Sequence, residues 1–378
     1  KSFVHLHAHT EYSMLDGAAK IVDYLKKVKE LNQPAAAITD HGNLYGAMEF
    51  VQKANDFGIK PIIGYEAYIT PGSRFDRPDR ENNKRYHLTL LAENNIGYQN
   101  LVELVSKAYT EGYYYKPRID YELLDQHHDG LIALSGCLGG ELAQHLAPDG
   151  SVEEGNTSNE RSFEKALDIA KKYQSIFGKE NYFIEIHNHG IKQQLDILDD
   201  LVEIAELIDA PLVAANDSHY VEENGAEAHD ALLCVQTNRT LDDESRFRFD
   251  GSGYYVKSAE EMRKLFPEDK YPGACDNTLA IANRVNYEFN FDNSYLPDFP
   301  IEDKNVSPEE LLKIKVYEGG EGKYETLTSE IIERIDYELD VINSMGFASY
   351  FLIVGDLIEF SKKRNIRTGA GRGSAAGS

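Results

Sequence analysis

Cysteine is scarce in this sequence. Three cysteines, Cys137, Cys234 and Cys275, occur among its 378 residues. They are too few and too widely spaced for a disulfide framework, so we expect each of them to be a reduced thiol. A reduced thiol is also available as a metal ligand.

Long apolar runs are missing as well. No stretch approaches the roughly 18 consecutive apolar residues that a membrane span needs. The N-terminus also lacks the charged, apolar and small-residue pattern of a secretory signal. From these absences we expect a soluble, cytoplasmic protein with no membrane partner. The sequence does not begin with methionine and it stops at "GRGSAAGS", so we also expect a fragment of a longer protein.

Positive charge is in the minority. The sequence has 39 Lys and Arg residues against 64 Asp and Glu residues, which gives a formal net charge of -25. A protein that binds nucleic acid over its whole surface needs clustered basic side chains, so the composition excludes that class. Any contact with DNA must be local or assisted by metal ions.

Short apolar or β-branched runs alternate with segments of helical periodicity. The predicted strands are "FVHLHA", "AAAITD", "KPIIGYEAYI", "HLTLLAE", "LIALSG", "YFIEIH" and "PLVAAN". Repeated strand–helix units predict an α/β fold with a parallel sheet. Seven units in series favour a closed barrel over an open sheet, although periodicity leaves closure undecided. A Pro- and Asp-rich connector after about residue 285 predicts two domains, residues 1–285 and 286–378.

Three histidines occupy alternate positions in "HLHAHTEYSMLDG", which begins at residue 5. In a strand, His5, His7 and His9 share one face. A solvated face is the ordinary explanation, because histidine is only intermediately buried in proteins. With Ser13 and Asp16 close behind, the pattern favours a site for a borderline divalent metal.

Further ligand-type side chains stand where predicted strands end. They are Asp40, His41, Glu66, Cys137, Glu185, His187, His189, Asp217 and His219. Each has an ordinary alternative: Asp40 can cap a helix or a strand end, Cys137 can be a small core residue, and Glu66 can form a surface ion pair. For the three residues from 185 to 189, the alternative is a role in supporting the ligands or facing the substrate.

The ordinary alternatives explain single residues, but they explain the whole set of ligand-type residues at strand ends less well. In parallel barrels the chemistry collects where strands finish and loops begin. Stability alone gives no reason to crowd desolvated His, Asp, Glu and Cys side chains at that edge. His87 is the exception, because it opens its strand. Either that strand begins earlier, or it runs in a different direction.

These residues resemble the PHP (polymerase and histidinol phosphatase) family of metallophosphoesterases. The likeness is closer still to the PHP domain that opens bacterial C-family DNA polymerase III alpha subunits. It covers essentially the whole chain and rests on "FVHLHAHTEYSMLDGAAK", "TDHGNLYGAMEF", "KPIIGYEAYI", "HLTLLAEN", "NDSHYV", "ALLCVQT", "RFRFDGSGYYVKS", "ELDVINSMGFASYFLIV" and "GRGSAAGS". The resemblance implies a distorted (β/α)7 PHP barrel, followed by a partial α+β segment that starts the polymerase palm.

The resemblance also implies a set of metal ligands. Carried over position by position, they are His7, His9, Asp16, His41, Glu66, His87, Cys137, Asp217 and His219. Asp16, His41 and Asp217 take catalytic roles in this set, whereas His5 matches no ligand. Nine ligands exceed the four of a single structural zinc, so three ions fit. The His- and Cys-containing donor set suits Zn²⁺, with Mn²⁺ or iron as alternatives, and disfavours Mg²⁺.

For a PHP domain inside a replicative polymerase, the resemblance implies a 3′–5′ exonuclease that removes mispaired nucleotides from a DNA primer. Sliding clamp, proofreading or accessory subunits of the replisome would be its partners. One alternative is a metal-braced scaffold without hydrolytic activity, which supports the palm and docks those proteins. Another is a free-standing phosphatase for small phosphomonoesters, which leaves everything after residue 285 unexplained.

The C-terminal "TGAGRGSAAGS" contains Arg372, Gly373 and Ser374, which can present a guanidinium and backbone N–H groups to phosphates. A flexible tail explains the composition equally well. The resemblance implies a nucleotide-contacting loop that opens the palm, although Ala370 stands where proline is usual. The palm carboxylates that bind catalytic Mg²⁺ should come later in the family's order. We therefore expect no polymerase activity from these residues alone.

Overall fold

The structure is a computed structural model that describes residues 1–79, 82–148, 160–289, 291 and 296–369. The chain divides into two units, Lys1–Glu288 and Phe289–Ser378. The first unit holds every strand seen in the described residues, and the second is helical there.

Eight strands of the first unit form one sheet. They are β1 (Ala35–Ile38), β2 (Lys60–Ile69), β3 (Tyr86–Ala92), β4 (Tyr113–Tyr114), β5 (Lys116–Ile119), β6 (Leu131–Leu134), β7 (Tyr182–Ile186) and β8 (Leu212–Ala214). Along the main path the order is β1-β2-β3-β6-β7-β8. The short β4–β5 hairpin branches off where the far end of β2 pairs with β5. Strands β1, β3, β6, β7 and β8 are buried along their whole length, as expected for a sheet covered on both faces.

The N-terminal segment, residues 3–9, closes this sheet into a ring. On one side it accepts backbone hydrogen bonds from Ala37 and Thr39, which lie in and just after β1. On the other side His9 N donates to Ser218 O over 2.8 Å, just beyond β8. Segment 3–9 is therefore the seventh member of the ring, beside β1, β2, β3, β6, β7 and β8. The predicted (β/α)7 barrel is confirmed.

The barrel is distorted because β3 runs antiparallel to both of its neighbours, β2 and β6. Register pairs Ile69 with Tyr86 and Tyr68 with His87. The start of β3 therefore lies beside the end of β2. This decides between the two explanations for His87: its strand does not begin earlier, but runs in the opposite direction.

Ten α-helices surround the barrel in the described part of the first unit. They are α1 (Ile21–Glu30), α2 (Ala47–Phe57), α3 (Asn95–Thr110), α4 (Tyr121–Gln126), α5 (Glu141–Leu146), α6 (Phe163–Phe177), α7 (Lys192–Ile208), α8 (Ala226–Thr237), α9 (Ala259–Leu265) and α10 (Asp276–Arg284). Side-chain caps start several of them: Asn94 accepts from Gly97 N at α3, and Ser258 forms a capping box at α9.

The apolar core of the barrel lies away from the ligand-type residues. Apolar side chains from segment 3–9, β1, β2, β3, β6, β7 and β8 pack in one cluster with Ile281 and Ala282 of α10 and with Val285, which directly follows this helix. Buried apolar area of this kind stabilises a fold by about 25 cal/mol per Å². This packing holds the strands firmly, so that their other ends can carry polar groups.

The second unit contains three helices in its described residues, α11 (Pro308–Lys323), α12 (Ser329–Ser344) and α13 (Ala348–Lys363). They pack around Leu312, Leu339 and Leu352. Strands of the predicted α+β palm segment are not among these described residues. Across the described chain, no single helix is long and apolar enough to span a membrane; α12 and α13 meet that measure only as a pair bent by 116°.

Candidate metal centre

The structure brings all nine predicted ligand residues together. Each has a ligand-type atom within 3.9 Å of such an atom in another member. We call this set the nine-residue cluster; it consists of His7, His9, Asp16, His41, Glu66, His87, Cys137, Asp217 and His219. Its members come from distant parts of the sequence, so only the closed barrel places them side by side.

Strand direction explains the convergence. His41 follows β1 and bridges to Glu66 within β2, Cys137 follows β6, and the segment with Asp217 and His219 follows β8. Carboxyl ends of parallel strands meet at one mouth of a barrel. Because β3 is antiparallel, its first residues, including His87, reach the same mouth.

Glu66 is the hub of the cluster. Its carboxylate oxygens lie 2.5 Å from His41 Nδ1, 2.9 Å from His87 Nδ1 and 3.3 Å from His7 Nε2. The side chain is 1% exposed. A buried carboxylate that contacts several imidazoles is suited to bridge more than one cation.

Asp217 forms a second hub. Its Oδ1 lies 3.1 Å from His9 Nε2, 3.3 Å from His7 Nε2 and 3.6 Å from His219 Nδ1. Its backbone has a φ of 44°, in the left-handed region that non-glycine residues seldom adopt. Backbone strain of this kind concentrates at functional sites, and here it aims the carboxylate between the histidines.

A buried aspartate fixes the loop that carries Asp16. Asp40 accepts hydrogen bonds from Thr10 N over 2.7 Å, from Thr10 Oγ1 over 2.8 Å and from Ser13 Oγ over 2.8 Å. Ser13 Oγ also lies 2.9 Å from His9 Nδ1. Asp40 therefore acts as an anchor for the loop, close to the strand-end role weighed for it, and its bonds turn His9 Nε2 toward the cluster.

Gly17 closes the same loop, and we expect Gly17→Ala to damage the site. A Cβ atom there would lie 1.9 Å from Thr10 O, a backbone atom that cannot move without shifting Asp16. We expect a loss of about 1–3 kcal/mol in stability and a fall in bound metal, measured by thermal melting and metal analysis. Gly322→Ala is the control, because its Cβ meets nothing within 4 Å. Equal behaviour of the two variants would contradict the proposed role of the loop.

Seven ligand-type atoms of the cluster are buried without a hydrogen-bond partner among the described residues. They are His7 Nε2, His9 Nε2, Asp16 Oδ1, His41 Nδ1, Glu66 Oε2, Asp217 Oδ1 and His219 Nε2. Several of them lie close to an opposite charge without hydrogen-bond geometry, as His41 Nδ1 does at 2.5 Å from a Glu66 oxygen. Imidazole nitrogens and carboxylate oxygens that face one another in this way are the donor set of divalent metals such as zinc. The residues therefore fit a group of divalent cations.

The nine-residue cluster contains three overlapping trios in the described structure, each with ligand atoms within 4.8 Å of one another. The trios are His9–His41–His219, His7–His9–Glu66 and His41–Glu66–His87. Shared members mean that the trios form one continuous centre rather than separate sites.

The pKa values of three cluster residues show which of them are in the protonation state that binds cations. Burial alone would raise the pKa of Glu66, but its three histidine neighbours outweigh burial and hold that pKa well below the usual range. Burial, with two neighbouring histidines, lowers the pKa of His9 to about 3, so its ring is neutral at pH 7. Burial, with nearby carboxylates, raises the pKa of the Cys137 thiol to about 11. A cation at Cys137 must therefore displace a proton.

Comparisons with known proteins agree with this geometry. Residues 5–189 match the PHP domain family, and residues 310–378 match the bacterial DNA polymerase III alpha NTPase domain family. Along its whole length the chain is 45% identical to the DNA polymerase III subunit alpha of Mycobacterium tuberculosis (strain H37Rv). The chain belongs to the family of bacterial DNA polymerase III alpha subunits. It spans 32% of that relative's length.

A second relative, the DNA polymerase III subunit alpha of Treponema pallidum, is 44% identical over 100% of this chain and 31% of its own length. Among solved structures, a two-domain Bacteroides vulgatus protein, described as containing a "predicted PHP-like metal-dependent phosphoesterase", aligns with a TM-score of 0.34 and 10% identity. That alignment covers 75% of this chain and 69% of the other.

Glu185, which is not one of the nine, also supports the cluster. Glu185 Oε1 lies 2.6 Å from His7 Nδ1 and 2.9 Å from His187 Nε2, while its Oε2 accepts from Gly136 N over 2.9 Å. Glu185 therefore orients the ring of His7 from behind, a common arrangement around metal-binding histidines. This corresponds to the supporting role weighed for residues 185–189.

Sequence reasoning missed His229. It lies on α8 with Nε2 4.0 Å from Asp16 Oδ1, and its ring centroid is 5.6 Å from that of His219. His229 Nε2 is buried and has no hydrogen-bond partner in the described residues. A single histidine on a helix gives no periodic signal, and only its place two residues before the family motif "ALLCVQT" could have drawn attention to it.

Other histidines that drew attention in the sequence are used elsewhere. His5 Nε2 lies 2.9 Å from Lys257 O, outside the nine-residue cluster. Both ring nitrogens of His189 have partners, Asn216 O at 2.8 Å and Gln194 Nε2 at 2.9 Å. Arg372, Gly373 and Ser374, the predicted nucleotide-contacting residues, lie outside the described residues.

Proposed function

We propose that the first unit binds three divalent cations, zinc in the first place, and hydrolyses phosphodiester bonds at the 3′ end of DNA. The activity would be a 3′–5′ exonuclease that removes mispaired nucleotides. One observation carries the proposal: buried imidazole and carboxylate atoms converge without hydrogen-bond partners at one barrel mouth. The acidic net charge agrees with a substrate contact that is confined to such a centre.

The nine-residue cluster would hold the cations, and the carboxylates of Glu66 and Asp217 would supply negative charge among its histidines. Bound cations of this kind neutralise phosphate charge and lower the pKa of a water molecule toward about 7. The protein itself contributes the rigid placement of its ligands. Buried Glu185 fixes His7, and the hydrogen bonds of Asp40 fix His9 by way of Ser13.

Four members of the cluster are partly open to solvent. The side chains of His41, Asp16 and Asp217 are 18%, 14% and 11% exposed and Cys137 is also partly exposed, whereas the side chains of His7 and His9 are 0% exposed. Groups that contact a substrate must be reachable from solvent, and the partly exposed members include the three residues with predicted catalytic roles, His41, Asp16 and Asp217. We assign them to the binding and orientation of the scissile phosphate.

The whole alpha subunit would place this activity beside DNA synthesis in the cytoplasm. Because the chain spans about a third of its relatives, polymerase activity, its Mg²⁺ site and contacts with the sliding clamp or other replisome subunits are proposed for the full-length protein only. For the described chain, the proposed partner is the 3′ end of a DNA primer.

A nuclease assay tests the proposal. The 378-residue protein is incubated with a primer carrying a 3′ mismatch in the presence of Zn²⁺ or Mn²⁺, beside Asp16→Ala and His41→Ala variants. We expect metal-dependent release of single nucleotides by the wild-type protein and at least about a hundredfold loss in each variant. If the wild-type protein releases none, or the variants match it, the exonuclease proposal fails. The metal-braced scaffold then becomes the better account.

A further inference from the structure

Four exposed tyrosines lie together on the surface of the first unit. Tyr45 is 60% exposed, Tyr109 38%, Tyr113 54% and Tyr115 59%. They come from the loop after β1, the end of α3 and the β4–β5 hairpin, and we call them the tyrosine row. A group of exposed aromatic side chains is unusual on a soluble unit unless it contacts something.

Three rings of the row form a series. The centroids of Tyr45 and Tyr109 lie 6.5 Å apart, and those of Tyr109 and Tyr113 lie 6.0 Å apart with planes only 23° from parallel. Tyr115 stands two residues further on at the hairpin tip, where its ring contacts that of Tyr114. Their ring faces are therefore available for offset stacking with other flat groups.

The hairpin joins the row to the candidate metal centre. Lys116 Nζ lies 3.2 Å from Tyr68 OH, and the Tyr68 ring centroid lies 6.1 Å from that of His41 and 5.3 Å from that of His87. A Cβ atom on Gly42, next to His41, would meet Pro117 of the hairpin at 2.8 Å. The aromatic surface thus begins at the wall of the cluster opening.

The hairpin tip has a backbone conformation that favours glycine or asparagine, since Tyr115 has a φ of 62°. Its ring contacts that of Tyr114, with centroids 4.7 Å apart, and the residue is still 59% exposed. Strained residues that persist at exposed positions point to a functional requirement.

We propose that the tyrosine row is a stacking surface for the bases of single-stranded DNA whose 3′ end enters the metal centre. The inference rests on the proposed function and adds the path of the substrate strand. Aromatic rings hold unpaired bases without regard to sequence, which suits an enzyme that must accept any mismatched end. Lys116 adds positive charge at the end of the row next to the metal centre, where a backbone phosphate would pass. A docked protein would not require this continuity with the opening.

Equilibrium binding tests the row independently of hydrolysis. Binding of a fluorescently labelled 12-nucleotide oligothymidylate to the 378-residue protein is followed by anisotropy at low salt with a chelator present. We expect Tyr113→Ser and Tyr45→Ser each to weaken binding about tenfold, because stacking contributes roughly that factor per base. Tyr113→Phe and Tyr45→Phe keep the rings and should stay within about twofold of wild type. Leu207→Ser removes an exposed apolar side chain of α7 and should leave binding unchanged.

Tyr115→Gly distinguishes a DNA-binding role of Tyr115 from a structural role. Glycine relieves the left-handed strain, so we expect an equal or higher melting temperature together with weaker DNA binding. A merely structural role predicts a lower melting temperature and unchanged binding. If the four single serine variants, Tyr45, Tyr109, Tyr113 and Tyr115 each changed to Ser, match the wild-type protein in DNA affinity, the inference is overturned. Wild-type turnover of bis(p-nitrophenyl) phosphate with Zn²⁺ or Mn²⁺ tests the proposed hydrolysis separately, since that small diester supplies no bases to stack.

Discussion

Glu66→Gln is expected to abolish nearly all phosphodiester hydrolysis and most of the bound metal. The amide keeps the size of the side chain but removes the negative charge that contacts His41, His87 and His7. A neutral hub would leave the cations without a shared ligand and the imidazoles without an opposite charge. Losing several kcal/mol of this stabilisation corresponds to at least about a thousandfold drop in rate.

Metal content, primer degradation and thermal melting are measured on the same preparations of Glu66→Gln. Glu103→Gln is the matched control, because it makes the same chemical change at an exposed position of α3. The control should keep the wild-type metal content, rate and melting temperature. A Glu66→Gln protein that retains full metal and activity would show that this carboxylate is not the hub of the centre.

Removal of metal is expected to lower the melting temperature, and by more at pH 8 than at pH 6. In the metal-free protein, burial alone would lower the pKa of His7 and His41, but nearby groups, including Glu66, raise it well above the usual value. A raised folded-state pKa gives stability that is fully present below the usual value of about 6.5 and is lost as pH rises through the raised value. The metal-free protein therefore loses these ion pairs at higher pH.

The affinity for cations changes with pH in the opposite direction to the stability of the metal-free protein. They must displace protons from these histidines and from the Cys137 thiol, whose pKa burial raises to about 11. Each displaced proton makes metal affinity rise about tenfold per pH unit. Saturating metal at about 1,000 times its dissociation constant adds about 4 kcal/mol, or roughly 10 °C in melting temperature at pH 8.

Calorimetric melting of loaded and chelator-treated protein at pH 6, 7 and 8 measures this difference. The proposed centre requires the gap between the two melting temperatures to widen with pH. Triple substitution of His7, His41 and Cys137 by alanine should remove most of the widening. A gap that stays constant or narrows toward pH 8 would show that these groups hold no displaceable protons.

Sequence periodicity predicted the strand segments of the barrel well. All seven predicted runs are members of the closed ring, because buried strands need continuous apolar stretches that are visible in the sequence. Segment 3–9 closes the ring through backbone hydrogen bonds to residues that are far away in the sequence. The reversal of β3 was only one of two alternatives for His87, and the β4–β5 hairpin and α10 were not predicted. Their direction and placement depend on pairing partners far away in sequence, which local patterns do not encode.

Residue types at strand ends predicted which side chains gather at the site. The structure brings together the nine residues implied by family resemblance, yet their role as ligands stays a prediction. Glu185 drew attention in the sequence because it shares a strand end with His187. His229 and the tyrosine row did not, since an isolated helical histidine and dispersed tyrosines become a surface or a site only after folding.

Metal analysis of protein purified without chelators tests the central claim most directly. The nine-residue cluster should carry close to three divalent ions per chain, and zinc should predominate. Glu66→Gln protein from the same preparation should carry one ion or fewer. A wild-type chain with less than one ion, or equal metal in both proteins, would contradict the proposal that these buried side chains form a multi-cation centre.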